Sequence, residues 1–71
     1  MEKDWMMVFT TTDKVRADFV KSVLEDNQIL VVLFNKTDNP YTDSSFRGIF
    51  ELYVHWKQAE EALEHIYNLP E

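Results

Sequence analysis

The clearest alternation of apolar and polar residues runs over residues 48–56. Phe50, Leu52 and Val54 take every second position there, which is typical of a strand with one face in the core. Large apolar side chains also alternate over residues 5–10, and residues 29–34 form a continuous apolar run rich in β-branched residues. Both stretches have the length and composition of strands. The pattern therefore predicts three strands, with residues 48–56 as the one around which the fold is built.

Two other stretches carry apolar residues at the three- and four-residue spacing of a helix. They are residues 13–27 and residues 57–68, and in each the apolar stripe lies opposite a charged side. Residues 10–13, three threonines and an aspartate, stand at the start of the first helix. They supply oxygens for an N-cap and an acid for the first turn. The sequence thus predicts two amphipathic helices.

The predicted order is strand, helix, strand, strand, helix. If the first two strands run parallel through a right-handed crossover, the third fits between them and is antiparallel to both. The result is an α+β, ferredoxin-like split βαβ sheet of order 1-3-2, without a last strand and with both helices on one face. A meander of order 1-2-3 is the alternative. A chain of 71 residues has room for one domain, residues 1–71.

Composition narrows the classes of partner and compartment. Thirteen acidic residues against seven basic ones give a net charge of −6, which disfavours nucleic acid and anionic membranes as partners. The chain has no Cys, so disulfides and cysteine metal sites are excluded. Neither a signal-peptide pattern nor an apolar run of membrane-spanning length is present in it. We expect a cytoplasmic protein that is neither exported nor inserted.

Residues along nearly the whole chain resemble a known family. The resemblance rests on the run WMMVFTTTD at residues 5–13, on Ala17, Val20, Lys21, Leu24, Glu25, Ile29, Asn35, Lys36, Thr37, Asp38, Gly48, Glu51, Leu52, Tyr53, Val54, Ala59 and Ala62. Together they resemble the small bacterial signal-transducing protein family, a domain family without an established function. The resemblance implies a fold similar to that of the PII proteins, which are ferredoxin-like nitrogen-regulatory sensors, and hence a regulatory module.

Two features depart from the family pattern. Asn27 and Gln28 stand where the family usually has a glycine after the first helix, a mild departure because Asn tolerates the left-handed conformation. The loop over residues 39–47 is longer than the compact form of the family, so shared loop geometry is in doubt.

Polar residues converge at one edge of the predicted sheet, where the first two strands end and the first helix begins. The candidate ligand-binding residues there are Thr11, Thr12, Lys14, Asn35, Lys36, Asp38 and Tyr41. Helix N–H groups, together with the two lysines, would suit a small anionic ligand. The alternative is that the threonines are only an N-cap and residues 35–38 only a turn.

No catalytic residue, metal site or cofactor is predicted. Glu51 and His55 share a strand face, but four residues of strand separate them by roughly 13 Å, too far to share an ion or a proton. Glu61 and His65 are four apart on a helix, a spacing that is typical of a surface contact. We therefore expect a protein that is not an enzyme.

The second face of the sheet is the candidate interface, because two helices can cover only one face. It carries Ile49, Glu51, Tyr53 and His55 from the third strand. Neighbouring strands would add apolar residues, and two alternating sets are open for the first strand: Trp5, Met7 and Phe9, or Met6 and Val8. A carboxylate at Glu51 would need water, a cation or a hydrogen-bonding partner there. We expect a second copy or another protein to cover this face.

Two functional classes follow. The leading one is a non-enzymatic regulatory or signal-transducing module that binds a small ligand or a partner protein. The alternative is a structural, homodimerising interaction domain without a ligand pocket.

Overall fold

The structure of the chain is a computed structural model, and it describes residues 4–36 and 48–70. Its elements, in chain order, are β1 (Trp5–Thr11), α1 (Lys14–Asp26), β2 (Val31–Lys36), β3 (Ile49–His55) and α2 (Trp56–Tyr67). The predicted sequence of elements is confirmed.

The three strands form a sheet of order β1-β3-β2. The central strand, β3, pairs antiparallel with both neighbours. This confirms the α+β, ferredoxin-like arrangement and the order 1-3-2, and it rules out the meander. Gly48, with φ of 89°, precedes β3, and glycine adopts this conformation without a steric penalty.

The core lies between one face of the sheet and the two helices. Leu52 and Val54 of β3 are fully buried. They form one cluster with residues from β2, from the segment before it and from both helices, namely Val20, Leu24, Ile29, Val31, Ala59 and Ala62. Both helices therefore pack on the same face of the sheet, as the alternation in β3 predicts.

A β-bulge interrupts the alternation in β1. Met7 pairs with Tyr53 and Phe9 with Leu52, so three residues of β1 lie opposite two consecutive residues of β3, and Val8 is the extra one. Val8 and Phe9 both pack against the core. The bulge thus shifts the phase of the strand by one residue.

The bulge corrects the prediction for the first strand. Trp5 and Met7 share a face with the outward side chains of β3, but after the bulge the residue on that face is Thr10 instead of Phe9. Neither predicted alternating set is right as a whole. The physical reason is that a bulge moves every later side chain to the opposite face.

The turn after α1 moves the start of β2 relative to the prediction. Gln28, with φ of 61°, takes the left-handed conformation, whereas Asn27 has φ of −101°. The Gln28 N–H donates to the Glu25 carbonyl, and the Ile29 N–H donates to the Leu24 carbonyl, both at 3.0 Å. These two bonds form a Schellman motif. Because Ile29 belongs to this cap, β2 begins two residues later than predicted.

Candidate functional site

The side of the sheet opposite the helices is called the outer face here. Its residues alternate with the core residues of each strand, and the register places ten of them side by side: Trp5, Met7, Thr10, Val32, Phe34, Lys36, Ile49, Glu51, Tyr53 and His55. The four residues predicted for an interface from β3 are among them. The outer face is therefore a surface to which all three strands contribute.

Glu51 lies near the middle of the outer face, and its side chain is only 15% exposed. The Tyr53 hydroxyl donates a hydrogen bond of 3.1 Å to Glu51 Oε1. Lys36 Nζ lies 4.0 Å from Glu51 Oε2. The carboxylate thus has the hydrogen-bonding and cationic partners that the sequence indicates it needs, one from its own strand and one from β2.

Tyr53 is affected by this contact. Burial raises the pKa of its hydroxyl above the ordinary value of 10.0, and the hydrogen bond to Glu51 and the charge of that carboxylate raise this pKa further. The ring of Phe34 meets the Tyr53 ring edge-on, with centroids 5.5 Å apart. The hydroxyl therefore stays a hydrogen-bond donor at neutral pH, and the ring is held against an apolar neighbour.

A hollow of about 290 Å³ opens beside this contact, and it is lined by Phe34, Asn35, Lys36, Glu51 and Tyr53. Its lining includes residues from two separately predicted sets. Asn35 and Lys36 were predicted for the ligand site, and Glu51 and Tyr53 of β3 were predicted for the interface. The apolar run predicts a strand that ends at residue 34, but Asn35 and Lys36 are the last two residues of β2. The signal that could have shown this is the strand period, because Lys36 follows Phe34 by two positions.

The other end of the outer face is built around His55. Its ring lies 6.0 Å from the Trp5 ring, edge-on, and 5.9 Å from the Trp56 ring. His55 is also the N-cap of α2, since its Nδ1 accepts a hydrogen bond of 3.2 Å from the Lys57 N–H. This capping role was missed from the sequence, although His55 directly precedes the helix.

The start of α1 was the other half of the predicted ligand site. Asp13 is the N-cap, and its Oδ1 accepts from the N–H groups of Val15 at 3.0 Å and Arg16 at 3.4 Å. Thr11 Oγ1 accepts from the Asp13 N–H at 3.1 Å. The sequence predicts an acid in the first turn of the helix. The first turn contains none, because Asp13 is the N-cap. A carboxylate already takes the N–H groups that an anion would need.

Only some of the predicted ligand residues can be placed at one end of the sheet. Thr11 and Asn35 flank Phe50 from the two neighbouring strands. Lys14 lies nearby at the start of α1, where its Nζ is 2.9 Å from Asp18. A hollow of about 490 Å³ there is lined by Thr12, Asp13, Lys14, Val15 and Phe50. Asp38 and Tyr41 lie outside the described residues.

Chemistry at a metal ion has no support in the described part of the chain. Residues 4–36 and 48–70 hold no group of three His, Asp or Glu that could bind a metal ion. His65 and Glu61 lie 3.8 Å apart on α2, as their spacing predicts, and this is a contact of two partly exposed side chains.

Residues 5–68 match the family model described as "Putative prokaryotic signal transducing protein". The match runs from β1 through α2. The chain belongs to this family. No curated protein and no solved structure matched the chain.

Every residue of the outer face lies within the part of the chain that this family model covers. The family description refers to signal transduction and not to a catalysed reaction. Of the helices that the structure describes, neither is long and apolar enough to cross a membrane.

Proposed function

We propose that this family member is a non-enzymatic signal-transducing module that binds a protein partner through the outer face. One observation carries the proposal: the face turned away from both helices exposes apolar side chains around a partly buried, charged contact between Lys36 and Glu51. Protein interfaces combine apolar contact with a few polar groups that fix the orientation of the partner.

The apolar part comes from all three strands. Met7 is 48% exposed, Phe34 is 43% exposed and Ile49 is 36% exposed, one from each strand. Tyr53 lies among them, and aromatic and methionine side chains are enriched in interfaces. A contiguous apolar surface of this kind favours an interaction site over a surface that only meets water.

The polar part gives such a contact direction. Lys36 is 72% exposed, whereas Glu51 is 15% exposed. A partner that displaces water from this pair meets one mobile cation and one fixed carboxylate, and the fixed carboxylate retains its bond from Tyr53. Partner groups of either charge sign therefore have a counterpart on the outer face.

A small anionic ligand is the second candidate for the partner. The cation of Lys36, which lines the hollow of about 290 Å³, favours such a ligand. At the start of α1 an anion would instead face the Asp13 carboxylate, which bonds the helix N–H groups. For that reason we assign the signalling contact to the outer face.

A site-specific photo-crosslinking experiment tests the proposal. A photoreactive phenylalanine analogue replaces Phe34 in one variant and Tyr67 in the other, and both variants are expressed in bacterial cells. Tyr67 is the matched control because it is aromatic, 91% exposed and located on α2. We expect discrete protein adducts from position 34 and none of the same mass from position 67. Adducts of equal yield from both positions, or none from position 34, would contradict the proposal.

A further inference from the structure

We infer that the partner on the outer face is a second copy of this chain, in a two-fold symmetric pair in which Lys36 of each copy contacts Glu51 of the other. The inference rests on the proposed function, because it uses the same face. It goes further by naming the partner and the residues that select it.

The distribution of charge favours a second copy. The chain carries a net charge of −6, and α2 contributes three glutamates against one lysine, Glu60, Glu61 and Glu64 against Lys57. Two copies that met through α2 would bring like charges together. Among the ten described residues of the outer face, those with a formal charge are Lys36 and Glu51, and these two charges cancel. Two acidic molecules therefore approach each other there with less repulsion than through α2.

Symmetry makes the same pair self-complementary. In a two-fold interface, a contact of residue i with residue j recurs as j with i. Lys36 Nζ lies 4.0 Å from its own Glu51, and its side chain is 72% exposed. It can turn to the carboxylate of the other copy while its own carboxylate receives the opposing lysine. The exchange leaves neither charge without a counterpart.

The outer face is small for a stable protein interface. Three strands of up to seven residues cover about 14 Å by about 23 Å, or roughly 300 Å² of sheet. A stable interface buries about 800 Å² on each partner. The outer face is smaller than a standard interface, so we expect a weak pair whose assembly depends on protein concentration.

A charge exchange tests the pairing with the full chain. The variants are Lys36→Glu and Glu51→Lys, and sedimentation equilibrium is measured from about 10 μM to about 1 mM, a range that covers weak association. Each variant alone brings like charges together across the two-fold axis, so its dissociation constant rises at least about tenfold. An equimolar mixture restores opposite charges at both contacts. We expect the mixture to form a heterodimer at least as well as wild type forms its homodimer.

Two controls keep the result interpretable. Tyr67→Lys changes charge on an exposed aromatic residue of α2 and should leave the wild-type dissociation constant unchanged. Far-UV circular dichroism melts check that each variant folds. If Glu51→Lys does not fold, isotope-filtered NOE spectra of mixed labelled and unlabelled wild type replace it. We expect contacts between the Met7 methyl group of one copy and the Phe34 or Tyr53 ring of the other.

Three results would overturn the inference: a wild type that stays monomeric at the highest concentration, a mixture that associates no better than the separate variants, or absence of those intermolecular contacts. A monomeric wild type whose position 34 still crosslinks to a different protein overturns self-association alone. A monomeric wild type without any adduct from position 34 overturns the proposed function as well.

Discussion

At the scale of single residues, Glu51 shows how one strand supplies its own polar partner. Glu51 and Tyr53 are two positions apart on β3, so both side chains lie on the outer face. The Tyr53 hydroxyl reaches Glu51 Oε1 at 3.1 Å. A partly buried carboxylate without such a donor would be costly. Burial, and after it this contact, raises the pKa of the Tyr53 hydroxyl.

Stability should fall at alkaline pH because of Tyr53. Since the pKa of its hydroxyl is raised above 10.0 in the folded state, folding favours the neutral phenol. The stabilisation is fully present below pH 10.0 and is lost as pH rises through the raised pKa. Urea unfolding from about pH 8 to about pH 11, a range that spans the ordinary pKa of tyrosine, measures this. We expect Tyr53→Phe to show a smaller alkaline fall than wild type.

The control for this experiment is Tyr67→Phe. Tyr67 is 91% exposed on α2, so its replacement should leave the alkaline fall as steep as in wild type. Equal slopes for Tyr53→Phe and Tyr67→Phe would contradict the role assigned to Tyr53.

At the scale of elements, α1 ends in a cap whose left-handed residue is a Gln, where Gly is usual. The Schellman motif places Gln28 in the left-handed conformation, where a side chain with a Cβ is disfavoured. The Gln58 side chain holds this segment, donating to the Gln28 carbonyl at 3.1 Å and accepting from the Leu30 N–H at 3.4 Å. The contact joins α2 to the turn that leads into β2.

Replacing Gln28 with Gly should stabilise the protein. Gly removes the steric penalty of positive φ, and the Gln58 contact is kept because it uses only the Gln28 backbone. After the greater unfolded-state entropy of Gly, we expect a gain of roughly 0.5 to 1 kcal/mol. This corresponds to a Tm rise of roughly 2 to 8 °C by calorimetry. Gln28→Ala is the control, since Ala keeps the Cβ; a Gly variant no more stable than the Ala variant would refute the assignment.

At the scale of the whole molecule, β3 is the element that connects both other strands with the core under the helices. It pairs with both other strands, and its Leu52 and Val54 join the cluster to which both helices contribute. A chain of 71 residues has a free energy of unfolding of roughly 4 to 11 kcal/mol. A single defect in this cluster is therefore a large fraction of the total.

Leu52→Ala should come close to unfolding the protein. Leu52 is fully buried, and loss of such a side chain costs about 3 to 5 kcal/mol through lost burial and the cavity left behind. Urea denaturation measures the change. Leu63→Ala, at an exposed position of α2, is the matched control and should cost less than about 1 kcal/mol. Similar losses for the two variants would contradict the central role of β3.

The outer face was foreseeable in outline and not in detail. Alternation in β3 is a local property, so Glu51 and Tyr53 could be assigned to one face from the sequence. Their contact with Lys36 could not, because the apolar run predicts a second strand that ends at Phe34. The register between β2 and β3 brings Lys36 next to that pair. Cross-strand contacts of this kind depend on pairing and not on local pattern.

By itself the sequence determined the order of the elements and the buried face of β3, and it favoured the strand order 1-3-2, but only the tertiary structure ruled out the meander 1-2-3. The conclusions from the sequence follow from periodicity and from the handedness of crossovers, which act over short stretches of chain. Only the tertiary structure decided that Val8 forms a bulge, that Gln28 takes the left-handed position and that His55 caps α2. The bulge depends on how β1 pairs with the distant β3, whereas the turn and the cap are local contacts that the residue types Gln and His do not signal. The pairing of the strands likewise determines which side chains meet on the outer face.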